Sequence, residues 1–197
     1  MSFRLGLTGS IGMGKSTTAR LFAEAGCAVW DADAAVHRLY SRGGAAVAPM
    51  QAAFPDAIVD GAVSRDRLKE IIGRDPAALK RIEQIVHPLV GQDRAVFIET
   101  ATSDILVFDI PLLFETGGDA RMNAVAVVSV DADTQRERVL ARGTMTEDQY
   151  QTIRAKQMPD AEKRARADYV IVTDSMDHAQ QQVQDVIADI RKRMKHA

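Results

Sequence analysis

The chain has 197 residues, 46% of them hydrophobic and 26% charged, the proportions of one soluble globular domain with room for a sizeable core. Lys and Arg number 25 against 27 Asp and Glu, for a net charge of -2. That balance argues against a protein built to coat nucleic acid and leaves any polyanion to a local cluster of cations. The single cysteine, Cys27, allows neither an internal disulfide nor a structural zinc cluster. No apolar run reaches membrane-spanning length, and the opening Met-Ser-Phe-Arg-Leu-Gly lacks signal-peptide zones, so the expectation is a cytoplasmic protein without a membrane partner.

In chain order, residues 3–8 form a short apolar run that meets a glycine-rich stretch at Gly9, and residues 16–25 have helical spacing with Ala19, Leu21 and Phe22 turned inward. A second strand, residues 27–30, ends in Asp31-Ala32-Asp33 and is followed by a helix over 34–40, stopped by Gly43-Gly44. Residues 45–102 are mostly helical, with a possible strand at 57–59, a helix start at Asp75-Pro76 and a break between two helices at His87-Pro88. Three further apolar runs, 105–108, 124–130 and 169–172, are rich in Val and Ile and end in polar or turn residues. Between the last two lies a stretch, 134–167, dense in Arg and Lys, with Thr146 and Gln149 spaced as a capping box. By charge alone it reads as a solvated pair of helices. Residues 176–195 form a closing amphipathic helix with Arg191, Lys192, Arg193 and Lys195 at its negative end. Short, almost continuously apolar strands alternating with helices predict an α/β fold, a parallel sheet covered on both faces.

Gly9-Ser10-Ile11-Gly12-Met13-Gly14-Lys15-Ser16 matches G-x-x-x-x-G-K-[ST] between a strand and a helix, which is where that pattern must lie. The glycines let backbone N–H groups turn toward a phosphate. Lys15 supplies a mobile charge to the terminal phosphates, the Ser16 hydroxyl can ligate Mg²⁺, and the helix N-terminus adds partial positive charge. Thr17 is either a further phosphate neighbour or a plain first-turn residue. The guanine-reading Asn-Lys-x-Asp pattern is absent, because Asn123, the only asparagine, precedes alanine.

Asp33 follows the second strand, at the sheet edge where ligands of parallel α/β folds bind. It can serve as the base that takes a proton from an attacking hydroxyl, or it can cap the following helix. Asp109 closes the run 105–108, where it can hold a Mg²⁺-bound water or play no such part.

Leu7-Thr8-Gly9 through Thr17, Asp31-Ala32-Asp33, His87-Pro88 and Pro111-Leu112-Leu113-Phe114-Glu115 occur in the order and spacing of dephospho-CoA kinases, and the chain resembles that family over nearly its whole length. The resemblance implies a three-layer P-loop NTPase of the nucleotide-kinase kind with a core of 1–44, 103–133 and 168–197, a helical acceptor-binding insertion at 45–102 and a helical lid at 134–167. It implies transfer of a phosphoryl group from ATP, with Mg²⁺, to the ribose 3′-hydroxyl of 3′-dephospho-CoA, the last step of coenzyme A biosynthesis, by a monomer or weak homo-oligomer. Asp33 and Lys15 would be catalytic. Gly12, Met13, Gly14, Lys15, Ser16, Thr17 and the lid residue Arg142 would hold ATP, and Ser16 the metal. Thr8, Asp33, Arg65 and His87 would line the acceptor site. The family's usual Arg four residues after the catalytic Asp is His37 here, with Arg38 next to it. The alternatives are another small-molecule P-loop kinase, of the nucleoside, nucleotide or shikimate type, and a regulatory ATP-binding switch.

Overall fold

The computed structural model describes residues 2–196. The elements run β1 (Phe3–Thr8), α1 (Lys15–Glu24), β2 (Ala28–Asp31), α2 (Ala32–Tyr40), α3 (Val47–Ala53), β3 (Ile58–Val59), β4 (Ala62–Val63), α4 (Arg65–Arg74) and α5 (Ala78–Thr100). They continue with β5 (Ile105–Asp109), β6 (Ala124–Ser129), α6 (Ala132–Ala141), α7 (Glu147–Lys156), α8 (Asp160–Arg166), β7 (Tyr169–Val172) and α9 (Met176–Lys195). The chain divides into two compact units: Asp31–Thr100, and the chain up to Trp30 together with that from Ala101 on. The unit Asp31–Thr100, the insertion unit, takes in α2 as well as most of residues 45–102.

The main sheet has the order β2-β5-β1-β6-β7. β1 pairs in parallel with β5 (Phe3↔Ile105 to Leu7↔Asp109) and with β6 (Leu5↔Ala124 to Thr8↔Val127), and β6 with β7. Alternate side chains face opposite layers. Leu5, Leu7, Ile105, Val107, Ala126 and Val128 join Phe22 of α1 and Val183, Ile187 and Ile190 of α9 in one cluster. On the other face Val125 and Val127 pack with Leu113 and Phe114. Gly6 belongs to this second face for want of space, since a Cβ there would lie 2.6 Å from Leu113 Cδ2. Both faces are therefore buried, and the result is the three-layer α/β fold read from the sequence. Cys27 is buried, and burial pushes its thiol up to about 11 against the opposing effect of Arg191.

The insertion unit has its own core, including Leu39, Met50, Phe54, Val63, Leu68, Ile82 and Val86. Here the structure corrects the predicted break at His87-Pro88, because α5 runs through it with Pro88 inside. Proline in a helix interior costs about 3 kcal/mol through its missing N–H and ring clash. At this position the carbonyl left without a donor belongs to Gln84, which like Pro88 is exposed, so water can serve it. Ile82 and Val86, one turn apart and buried, hold the helix to the core. The possible strand at 57–59 is half of a hairpin pairing Ile58 with Val63 and Val59 with Ala62. Asp60 (φ 49) and Gly61 (φ 76) form its two-residue loop, the left-handed pair that favours Asp-Gly.

Candidate functional site

β1 delivers the chain into the glycine-rich loop, and α1 leaves it. The residue that caps α1 is Gly14, at φ 90 and ψ 20, with no side-chain cap bond. First-turn N–H groups are left for an anion. Gly12 is also left-handed, and a Cβ on it would lie 2.6 Å from Val139 Cγ2 and 2.9 Å from the Gln135 carbonyl oxygen.

For a loop to present N–H groups inward its carbonyls must find donors outside. Gln135 Nε2 donates to the Ile11 carbonyl at 2.8 Å, Thr173 Oγ1 to that of Met13 at 2.6 Å, and Thr18 Oγ1 to that of Gly14 at 3.0 Å. Thr173 is itself held by Arg138, whose two terminal nitrogens reach Thr173 Oγ1 at 3.1 Å and its carbonyl at 2.6 Å. The Met13 side chain is buried and turned into the protein, where its sulfur accepts from the Val130 N–H.

Lys15 Nζ is paired with Asp109 Oδ1, and Asp109 is buried at the end of β5. The carboxylate from the strand neighbouring β1 therefore holds the loop lysine in place. Ser16 lies exposed in the first turn of α1. A serine hydroxyl and a carboxylate are hard oxygen donors that suit Mg²⁺, which takes its remaining ligands from phosphates and water. A cavity of about 510 Å³ lies beside the loop, lined by Gly12, Gly14, Thr17, Arg138, Arg142 and Thr173. Arg142 is exposed at the end of α6. The two arginines and the open helix N-terminus offer positive charge here, opposite the carboxylate of Asp174.

Thr8 is fully buried, and its hydroxyl donates to the Pro111 carbonyl at 3.0 Å. The proton of the hydroxyl is committed to that bond, which fixes the turn after β5. Glu115, from the Pro-Leu-Leu-Phe-Glu motif, accepts from the Met158 N–H at 3.0 Å and pairs with the fully buried Lys163 at 2.9 Å. Burial raises the Glu115 pKa, but the Lys163 bond and two backbone N–H groups outweigh that and leave it below its ordinary value.

In the insertion unit the cap of α2 is Asp31, whose Oδ1 accepts from the Ala34 N–H at 2.9 Å. Asp33, exposed in the first turn, is thus not the cap. His37 is exposed, and Arg38 forms a fork onto Asp93, at 2.6 and 3.3 Å. Arg65 is exposed over the Tyr40 ring, 5.9 Å from its centroid, and His87 is exposed on α5. Sequence reasoning missed Gln135, Gln157 and Thr173, while Arg138 lay among the arginines of the 134–167 stretch. Of the three only Thr173 carried a signal, standing just past a strand end on the ligand-binding edge of a parallel sheet.

A parallel sheet with a glycine loop, a loop lysine and a strand-end carboxylate defines a P-loop nucleotide-binding protein. The profile of the family described as CoaE, dephospho-CoA kinase, matches residues 3–179. A relative named dephospho-CoA kinase, from Ruegeria pomeroyi, is 71% identical over 197 residues, covering 100% of both chains. Among solved structures, TT1252 from Thermus thermophilus matches with a TM-score of 0.85 at 29% identity, covering 95% of this chain and 97% of that one. A dephospho-CoA kinase from Campylobacter jejuni has a TM-score of 0.70 at 23% identity over 98% of each chain, a likeness of fold. The chain belongs to the dephospho-CoA kinase family. Among the described residues no helix is long and apolar enough to cross a membrane.

Proposed function

We propose that the protein transfers the γ-phosphoryl group of ATP to the ribose 3′-hydroxyl of 3′-dephospho-CoA, giving coenzyme A and ADP. The observation that carries the nucleotide half is the loop itself, with the Ile11 and Met13 carbonyls bonded to side chains outside it and Lys15 held by Asp109. The acceptor half rests on family membership.

In this reading Gly12 to Thr17 hold the triphosphate, and Lys15 stabilises charge as it spreads over the transferring group. The Ser16 hydroxyl would hold Mg²⁺, with Asp109 able to hold one of its waters, and the ion would add positive charge beside the phosphates. Arg142 and Arg138 stand at the cavity beside the loop, where a base or phosphate would meet them. Asp33, free of the capping task, takes the proton of the 3′-hydroxyl. Arg65 and His87, exposed in the insertion unit, serve acceptor recognition. Transfer is direct and requires no covalent enzyme intermediate.

The test is incubation with ATP, Mg²⁺ and 3′-dephospho-CoA, read by mass spectrometry for coenzyme A and equimolar ADP. Phosphorylation of a nucleoside or shikimate instead would refute the acceptor. Slow hydrolysis with no phosphorylated small molecule would point to a switch. Asp33→Asn should lower turnover by about a hundred- to ten-thousand-fold, and a folded variant with normal turnover would remove Asp33 from the chemistry.

A further inference from the structure

Ile11, within the phosphate loop, has both of its flanking peptide planes gripped by side chains from the Arg-rich stretch. Its N–H donates to Gln157 Oε1 at 3.1 Å, and its carbonyl accepts from Gln135 Nε2 at 2.8 Å. The partners lie 146 and 124 residues away along the chain. Gln135 is 2% exposed in α6, and Gln157, half-buried, ends α7. A backbone N–H only donates and a carbonyl only accepts, so each amide has one permitted orientation: Gln157 must accept and Gln135 must donate.

We propose that Gln135 and Gln157 are positioning residues that set the two peptide planes flanking Ile11, so that the α6 and α7 segment and the phosphate loop form one nucleotide-binding body. A flip of either plane would break its bond, and a flip of the plane between Ile11 and Gly12 would put the Ile11 carbonyl on the side that the Gly12 N–H now takes. The two glutamines exclude that arrangement before nucleotide arrives, which lowers the ordering cost of binding. A cavity of about 520 Å³ lined by Ser10, Gln135, Arg154, Gln157 and Arg164 lies beside the clamp, so Gln157 can be altered at its edge without opening the sheet core.

The proposal rests on the nucleotide reading above, and its test uses the opposite polarity of the two bonds. Gln157→Met and Gln135→Met each delete one bond. Gln157→Glu keeps an acceptor for the Ile11 N–H, whereas Gln135→Glu turns a carboxylate on the Ile11 carbonyl. Both Glu variants add the same charge near the same peptide. The readouts are the Kd of a non-hydrolysable ATP analogue by calorimetry, and KM for ATP against KM for the acceptor. Met at 157 should weaken the analogue about three- to tenfold, with Glu recovering most of that loss. At 135, Glu should bind more weakly than Met. KM for the acceptor should stay constant across the set.

The same order of Met and Glu at both positions, or variants that bind as tightly as the parent, would overturn the clamp. If Gln135→Glu does not fold, the Gln157 pair decides alone, with Glu tighter than Met supporting the clamp and Glu equal or weaker refuting it. Failure of the parent protein to bind the analogue would instead sink the nucleotide reading.

Discussion

Glu115→Gln should destabilise the sheet-bearing unit far more than a partly exposed side chain suggests. The Lys163 side chain is 0% exposed, and its ammonium lies 2.9 Å from Glu115 Oε1. Neutralising the carboxylate leaves that charge buried without its counterion, a change that costs about 3–5 kcal/mol. At about 2–4 °C per kcal/mol for a chain of this size, the midpoint should fall by roughly 6–20 °C. Lys163→Met should cost a comparable amount, because it strips the Glu115 carboxylate of its counterion while Oε2 is already buried without a partner. The double variant removes both charges and keeps an amide acceptor for Met158, so it should return to within about 2 kcal/mol of the parent. Urea unfolding followed by Trp30 fluorescence is the assay, since the only tryptophan is buried in this unit against Phe108. A cycle in which Glu115→Gln and the double variant lose equal stability, or no variant loses more than about 1 kcal/mol, would refute the pairing argument.

The same carboxylate predicts acid sensitivity. A folded-state pKa below the ordinary 4.5 contributes stability that is present above that pH and lost as pH falls through the lowered value. The parent should therefore lose stability below pH 4.5 more steeply than the double variant, as pH-dependent urea midpoints would show. Gly12→Ala should cost about 1–2 kcal/mol in backbone strain plus about 1–3 kcal/mol for overlap with Val139 and the Gln135 carbonyl. The analogue Kd should rise at least about tenfold; unchanged calorimetry would show that the loop relaxes. Asp109→Asn frees Lys15 from its counterion and should lower kcat/KM for ATP in steady-state kinetics with little change in acceptor KM. Pro88→Ala restores an α5 hydrogen bond and should stabilise the insertion unit by about 1–3 kcal/mol, visible as a higher thermal midpoint for the helical signal.

The phosphate loop was legible because its information is local: glycine spacing, one lysine and one hydroxyl between a strand and a helix. The Thr146 and Gln149 capping box was legible for the same reason, and both of its reciprocal bonds form. Pro88 misled because propensity is a local quantity, while the burial of Ile82 and Val86 that overrides it is tertiary. Asp33 could not be separated from a cap by sequence, since Asp31 and Asp33 have the same chemistry two residues apart and only backbone geometry selects Asp31. The clamp glutamines left no trace in periodicity. A single amide on a helix of mixed polarity looks like any solvated residue until the phosphate loop is brought against it.

The parallel order of the sheet also governs when the nucleotide site can come into being. The loop is made first, at residues 9–16, yet its supports arrive late: Asp109 is 94 residues beyond Lys15, Gln157 146 beyond Ile11, and Thr173 160 beyond Met13. Contacts of such sequence separation make folding slow. During synthesis the apolar strand β1 must wait for β5 and β6 with both edges open. The insertion unit, whose core lies wholly within Asp31–Thr100, can settle meanwhile, and a chain interrupted before Thr173 would carry the full loop sequence without a finished cradle.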